Sequence, residues 1–160
     1  MPFPIKLVLH QSSNAMNIIR ASILLLSLGL VSCATSVSSP QDAVRLAAKV
    51  SGNSNPEVYW VPSSGFTGDA TFVAMSKVAP SHMAYDLADF LRKSGDSERT
   101  VIVTGEGSRK AGQVCADALG LQTSPLPRLT VFFIGSAEDS IKASQAAAKV
   151  RCRFHHLLPE

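Results

Sequence analysis

The sequence predicts a small α/β domain with a mostly parallel sheet built from tandem βα units. Two similar stretches carry this prediction: Thr100–Gly105 and Thr130–Gly135 both read Thr-Val, three residues, Gly, and each precedes an Ala-rich, helix-like stretch. Strands this rich in apolar residues are typical of parallel sheets that are buried on both faces. At this length we expect one domain, over residues 40–160.

The elements before the tandem units follow from capping residues and apolar spacing. Ser39-Pro40-Gln41-Asp42 is typical of a helix start, and Gly52 predicts the end of that helix. Glu57–Val61 is a predicted strand, followed by a turn region over Pro62–Gly68. The next stretch, Ala70–Met75, reads as a strand rather than a helix.

Two further elements complete the predicted fold. Pro80 opens a helix whose apolar residues repeat on one face and which we expect to end at Gly95. Phe154–Leu158 supplies a last strand. Parallel strands joined by right-handed crossovers place their carboxyl ends along one edge, where open α/β sheets bind ligands.

The loops after the tandem strands are therefore the predicted place of any ligand contact. The contacting residues would be Gly105, Gly107, Ser108, Arg109 and Lys110 after the first strand and Ser136 after the second. Backbone N–H groups at a helix start can hold an anion, and the two cations would help. The glycine spacing departs from G-x-G-x-x-G and no P-loop motif is present, so no cofactor is predicted. The alternative is a plain turn with Ser108 as N-cap and Ser136-Ala-Glu-Asp139 as a capping box.

Neither a metal site nor a catalytic residue is predicted. His155 and His156 are adjacent on a strand and point to opposite faces, and His82 lies at an exposed helix start. Loop serines leave a serine–histidine–acid triad open, but no G-x-S-x-G motif follows any strand. The loop serines are Ser63, Ser64, Ser108 and Ser136.

The first third of the chain has the composition of a signal peptide. Ala21–Val31 is eleven uncharged residues, too few for a membrane-spanning helix and suited to the apolar core of a signal. Arg20 precedes it, and a start at Met16 would give a compact, ordinary signal; we expect Met16 to be the true start.

The residues after that core, Leu30-Val31-Ser32-Cys33, resemble the lipobox of bacterial lipoproteins. The resemblance covers residues 1–33 only. It implies a signal peptide over residues 1–32, cleavage before Cys33, and diacylglycerol with a further acyl chain such as palmitate on Cys33. Because Asp does not follow the cysteine, the resemblance also favours the outer membrane, with the domain facing the periplasm. Residues 33–39 would then be the lipidated cysteine and a polar tether.

Charge and cysteine content further limit the partners and the disulfide bonds that this protein is expected to have. Without Lys6 and Arg20, the 15 basic residues become 13 against 12 acidic ones, a net charge near +1 that gives no support for a nucleic-acid partner. With Cys33 lipidated, the remaining thiols are Cys115 and Cys152, and an oxidising compartment would favour a disulfide between them.

Two hypotheses of function remain. The first is a membrane-anchored envelope lipoprotein that acts as a non-catalytic binding or assembly module for an envelope protein, with Trp60 marking a partner surface. The alternative is a small-ligand-binding protein or hydrolase that uses the loops around Gly105 and Ser136. Convergent polar groups in a concave pocket would favour the alternative, and a flat apolar patch near Trp60 would favour the first.

Overall fold

The computed structural model describes residues 39–52, 56–93 and 97–159. The predicted signal peptide, the start at Met16, the lipidated Cys33, the tether before Ser39 and the helix end at Gly95 lie outside these residues. The described part holds helices α1 Pro40–Ser51, α2 Gly65–Ser76, α3 His82–Arg92, α4 Ser108–Gly120 and α5 Ala137–Lys149. Its strands are β1 Glu57–Val61, β2 Arg99–Gly105, β3 Leu129–Ile134 and β4 Arg153–Leu157.

The four strands form one parallel sheet in the order β1-β2-β3-β4, which confirms the predicted α/β class. The tandem units are in register, since Thr100 pairs with Thr130 and Val101 with Val131. Each strand therefore lies beside the strand that precedes it in the chain, and a crossover connects the two. All four carboxyl ends meet at one edge, called here the carboxyl edge.

The two faces of the sheet are covered differently. Helices α3, α4 and α5 pack on one face, where the main core gathers around Val103, Val131 and Phe133. Helix α1 packs on the other face through Ala43 and Ala47, against residues of β2 and β3. Apolar burial of this kind is the main favourable term in folding and stabilises both layers.

Helix α1 begins and ends where its sequence predicts. Ser39 is extended and its Oγ accepts a hydrogen bond from the Asp42 N–H at 3.2 Å. At the other end Gly52 takes the left-handed conformation (φ 63°), which glycine adopts without steric cost.

Helix α2 corrects the sequence prediction, because Ala70–Met75 is helical and not a strand. The turn predicted over Pro62–Gly68 is also shorter, since the helix begins at Gly65. The inward positions 69, 72, 73 and 76 follow helical spacing. Their fully buried members, Asp69 and Ser76, are polar, so the apolar pattern that normally reveals a helix is absent.

Candidate functional site

The structure brings the two predicted loops together at the carboxyl edge. Ser108 Oγ donates to Asp139 Oδ2 at 2.7 Å and accepts from the Ser136 N–H at 2.7 Å. Ser136 Oγ donates to the same Asp139 oxygen at 2.6 Å and accepts from the Asp139 N–H at 3.2 Å. The hydroxyls of both loops are thus bonded to one another, and Asp139 holds them in place.

This arrangement is half of the predicted capping box. Ser136 caps α5 as expected, but its own N–H bonds to Ser108 and not to the Asp139 side chain. The N-cap of α4 is Gly107, so the alternative with Ser108 in that role is wrong. Gly135 fits here because a Cβ would lie 2.5 Å from Ser108 Oγ. Only glycine allows the loops to approach so closely.

Lys110 lies inside the protein rather than at the mouth of the loops. Its residue is 5% exposed, and the ammonium donates to Pro62 O at 2.8 Å and to Ser64 Oγ at 3.0 Å. Asp69 Oδ1 lies 3.8 Å away, and the Phe72 ring lies 5.0 Å from the nitrogen. A buried ammonium needs such partners, because its transfer out of water is costly.

Asp69 is the residue that sequence reasoning missed. Its carboxylate accepts from Ser63 Oγ at 2.7 Å and from the Ser64 N–H at 2.8 Å, besides pairing with Lys110. Gly107 passes so near that a Cβ would lie 2.3 Å from Asp69 Oδ2. The available signal was that Asp69 is the one charged residue within α2.

The contact between Ser64 and Lys110 resembles the serine–lysine pair of some hydrolases, but it has a structural role and not a catalytic one. A general base must accept the serine proton. Here Lys110 Nζ donates to Ser64 Oγ and to the Pro62 carbonyl and lies 3.8 Å from the Asp69 carboxylate. The arrangement fastens the start of α2 to α4.

Arg109 has a different position from Lys110. It is exposed and lines a shallow cleft of ≈ 280 Å³ between α2, α4 and α5, together with Lys77 and Lys142. Glu138 is the exposed carboxylate of the same cleft. Of the predicted contact residues, Arg109 is therefore the one whose charge faces solvent.

The histidines are separated as their positions predicted. His155 stacks on Phe132 on the α1 side of the sheet, and His156 stacks on Phe133 on the other side. His82 is at the start of α3, with Nδ1 2.9 Å from Asp86 Oδ2. Within the described residues no three histidine, cysteine or acidic side chains are grouped to hold a metal ion.

Cys115 and Cys152 are free thiols in the same core. Burial raises the pKa of the Cys115 thiol, and the nearby Cys152 raises it further. Burial also raises the pKa of Cys152, to about 11. Neither is a reactive thiolate at neutral pH, and the disulfide between them stays a prediction.

The outward side of α2 is apolar and exposed. Phe66 is 88% exposed, Met75 69%, and Val78, just after the helix, 91%. Between these residues Thr67, Ala70, Thr71 and Ala74 are also exposed. A groove of ≈ 480 Å³ continues this surface toward Pro80, lined by Phe72, Met75 and Val78 among others. We call the exposed side chains of residues 66–78 the α2 surface. A contiguous exposed apolar patch of this kind is typical of an interaction site.

Trp60 does not form a comparable patch. It is half-buried on the α1 side of the sheet, where it pairs with Thr104 of β2.

Comparisons with known proteins place the chain in no family. Searches against protein-family models, curated proteins and solved structures found no match. Among the described helices, none has the length and apolar character needed to cross a membrane.

Proposed function

We propose that the protein is a lipid-anchored envelope module that binds or assembles with another envelope component and is not an enzyme. The observation that carries the anchor is the sequence Leu30-Val31-Ser32-Cys33 directly after an eleven-residue uncharged core. Two or more acyl chains on Cys33 would hold the domain stably at a bilayer.

The geometry of the carboxyl edge supports a binding role over a hydrolase role. The serines and the lysine that a hydrolase would use there are engaged with one another and with Asp69 and Asp139. A ligand could reach Ser108 or Lys110 only by breaking these bonds, and unsatisfied buried groups are costly. The solvent-facing features of the same edge are the α2 surface and the cleft at Arg109.

The anchor is tested by changing Cys33→Ser. We expect the wild-type chain, expressed in a bacterium that processes lipoproteins, to partition into the detergent phase on Triton X-114 separation. The Cys33→Ser chain should keep its signal peptide and incorporate no radiolabelled palmitate, whereas the wild type should be labelled. Cys152→Ser is the matched control, because it removes a thiol without touching the signal, and should partition like the wild type. A wild-type chain found in the aqueous phase would contradict the anchor.

A further inference from the structure

We propose that the α2 surface lies on the bilayer itself, so that this domain is held against the membrane at two points rather than hanging freely from its lipid. The inference rests on the proposed anchor at Cys33 and adds a second contact of a different kind: a short apolar helix inserted among lipid headgroups. Three observations carry it: the composition of the outward side of α2, the position of α1, and the charge beside α2.

The outward side of α2 has the composition of an interfacial helix. Residues 65–81 contain two charged side chains, Asp69, which is buried against Lys110, and Lys77, which is exposed. No carboxylate of this segment therefore faces outward. Phe66, Met75 and Val78 project large apolar groups, with threonine and alanine between them. Helices that lie in the headgroup region bury an apolar side in this manner, and bilayer affinity grows with the apolar area buried.

The start of α1 and the α2 surface belong to the same edge of the domain. Helix α1 runs antiparallel to the strands: Val50 and Gly52 at its end line a cavity with Thr100 and Thr130, which lie at strand starts. Its beginning is therefore at the carboxyl edge, where α2 also begins, four residues after β1 ends at Val61.

Covalent geometry keeps this edge close to the lipid. Six residues separate Cys33 from Ser39, and an extended chain of that length reaches at most about 22 Å. A lipidated Cys33 therefore keeps the start of α1 within a short distance of the headgroups, and with it the edge that carries α2. Because the anchor holds this surface close to the bilayer, its binding to lipid becomes an intramolecular event with a high effective concentration.

The charge beside α2 suits anionic headgroups. Lys77, Arg109 and Lys142 line the cleft along one side of the helix, against two carboxylates: Glu138, which is exposed, and Asp139, which accepts from Ser108 and Ser136. Basic residues next to a membrane surface are attracted to anionic lipids, and salt weakens this attraction. The cleft would receive headgroup phosphates while the α2 surface enters the apolar boundary.

The test uses the full lipidated chain in vesicles and tryptophan as a depth probe. Met75→Trp places the probe on the α2 surface, and Val50→Trp places it at the end of α1, on the opposite edge of the sheet, at an apolar side chain that is also 56% exposed. The wild-type chain, with its single tryptophan, gives the background. Vesicles of phosphatidylcholine and phosphatidylglycerol contain phosphatidylcholine brominated on the acyl chains, which quenches tryptophan in contact with it.

We expect brominated lipid to reduce the added fluorescence of Met75→Trp at least twofold and to leave that of Val50→Trp unchanged. Omitting phosphatidylglycerol should weaken the quenching. Equal, weak quenching of both probes in chains that float with the vesicles would overturn the inference and leave the anchor standing. Chains that do not float would overturn the anchor and the inference with it.

Other occupants of the α2 surface give different results. If a second copy covered it, the chain would be a dimer in detergent, Phe66→Asp with Val78→Asp would make it monomeric, and Met75→Trp would not be quenched. If a protein partner covered it, the Met75→Trp emission would shift to the blue in native envelopes but not in pure lipid. Either result overturns the bilayer contact.

Discussion

Helices α1 and α2 are both twelve residues long, both flank β1, and bury opposite kinds of side chain. α1 turns Ala43 and Ala47 onto the sheet and exposes charged side chains such as Arg45. α2 turns Asp69 inward and exposes Phe66 and Met75. The first helix is held by apolar burial and capping, whereas the second combines the packing of Phe72 against the main core with a buried ion pair and its hydrogen bonds. A helix held by polar contacts leaves its apolar residues free for another surface.

The largest expected effect is on the buried pair. Asp69→Ala leaves the Lys110 ammonium without its carboxylate in a site that is almost closed to water. We expect the free energy of unfolding to fall by about 3–5 kcal/mol. The measurement is urea denaturation, with the midpoint compared at equal slope.

The control for Asp69→Ala is Asp42→Ala in α1. The Asp42 side chain is 44% exposed, lies 3.7 Å from Arg45 and accepts from Ser39 Oγ at 2.7 Å, so its loss should cost about 1 kcal/mol. If Asp69→Ala does not fold, Asp69→Asn keeps an acceptor for the Ser64 N–H and should retain part of the stability. Equal losses for the alanine variants of Asp69 and Asp42 would show that the two helices are not held differently.

The same contrast explains what could be predicted from the sequence. The tandem units and α1 were predictable because their patterns are local: apolar strand residues, capping serines and a glycine at the helix end repeat known rules. α2 was not, because its buried residues are polar and the partner of Asp69 is Lys110, which lies 41 residues further along the chain. Without that partner, Ala70–Met75 contains enough β-branched and aromatic residues to resemble a strand.

The position of the candidate site was predicted from the sequence, but the hydrogen bonds of its side chains were not. Parallel topology was enough to bring Ser108 and Ser136 to one edge. The topology did not predict that Asp139 would accept hydrogen bonds from both hydroxyls, or that Lys110 would point inward to Pro62 O. The direction of a side chain at a helix start depends on its tertiary neighbours, and the spacing of residues along the sequence does not reveal these neighbours.

A smaller effect is expected from the capping residue of α1, which tests how much local hydrogen bonding stabilises this helix. Ser39→Ala removes the oxygen that accepts the Asp42 N–H at the start of α1. We expect a loss of about 1 kcal/mol in the free energy of unfolding, as for other capping serines. The control is Ser124→Ala in an exposed loop, which should change little. Thermal or urea unfolding would measure both, and an unchanged midpoint for Ser39→Ala would show that α1 depends on its apolar side alone.

The smallest effect is expected at an ion pair that is half open to water, between Glu57 of β1 and Arg99 of β2. Arg99 donates from two nitrogens to the Glu57 carboxylate. Hydrogen bonding to Arg99 is the main reason why the pKa of Glu57 lies below its ordinary value of 4.5. Because the Glu57 side chain is 45% exposed, solvent screening should limit its contribution to about 1 kcal/mol or less.

The lowered pKa gives this pair a defined pH dependence. The folded state holds the ionised carboxylate, so the pair stabilises the protein fully above pH 4.5 and loses its contribution as the pH falls through the folded pKa. Wild type should therefore exceed Glu57→Gln in urea midpoint at neutral pH, and the two should converge in acid. Glu98→Gln is the control, since Glu98 is 78% exposed and pairs at 3.1 Å with Arg153, which is 52% exposed. A difference for Glu57→Gln that stays constant into acid would show that Arg99 does not act on the carboxylate charge.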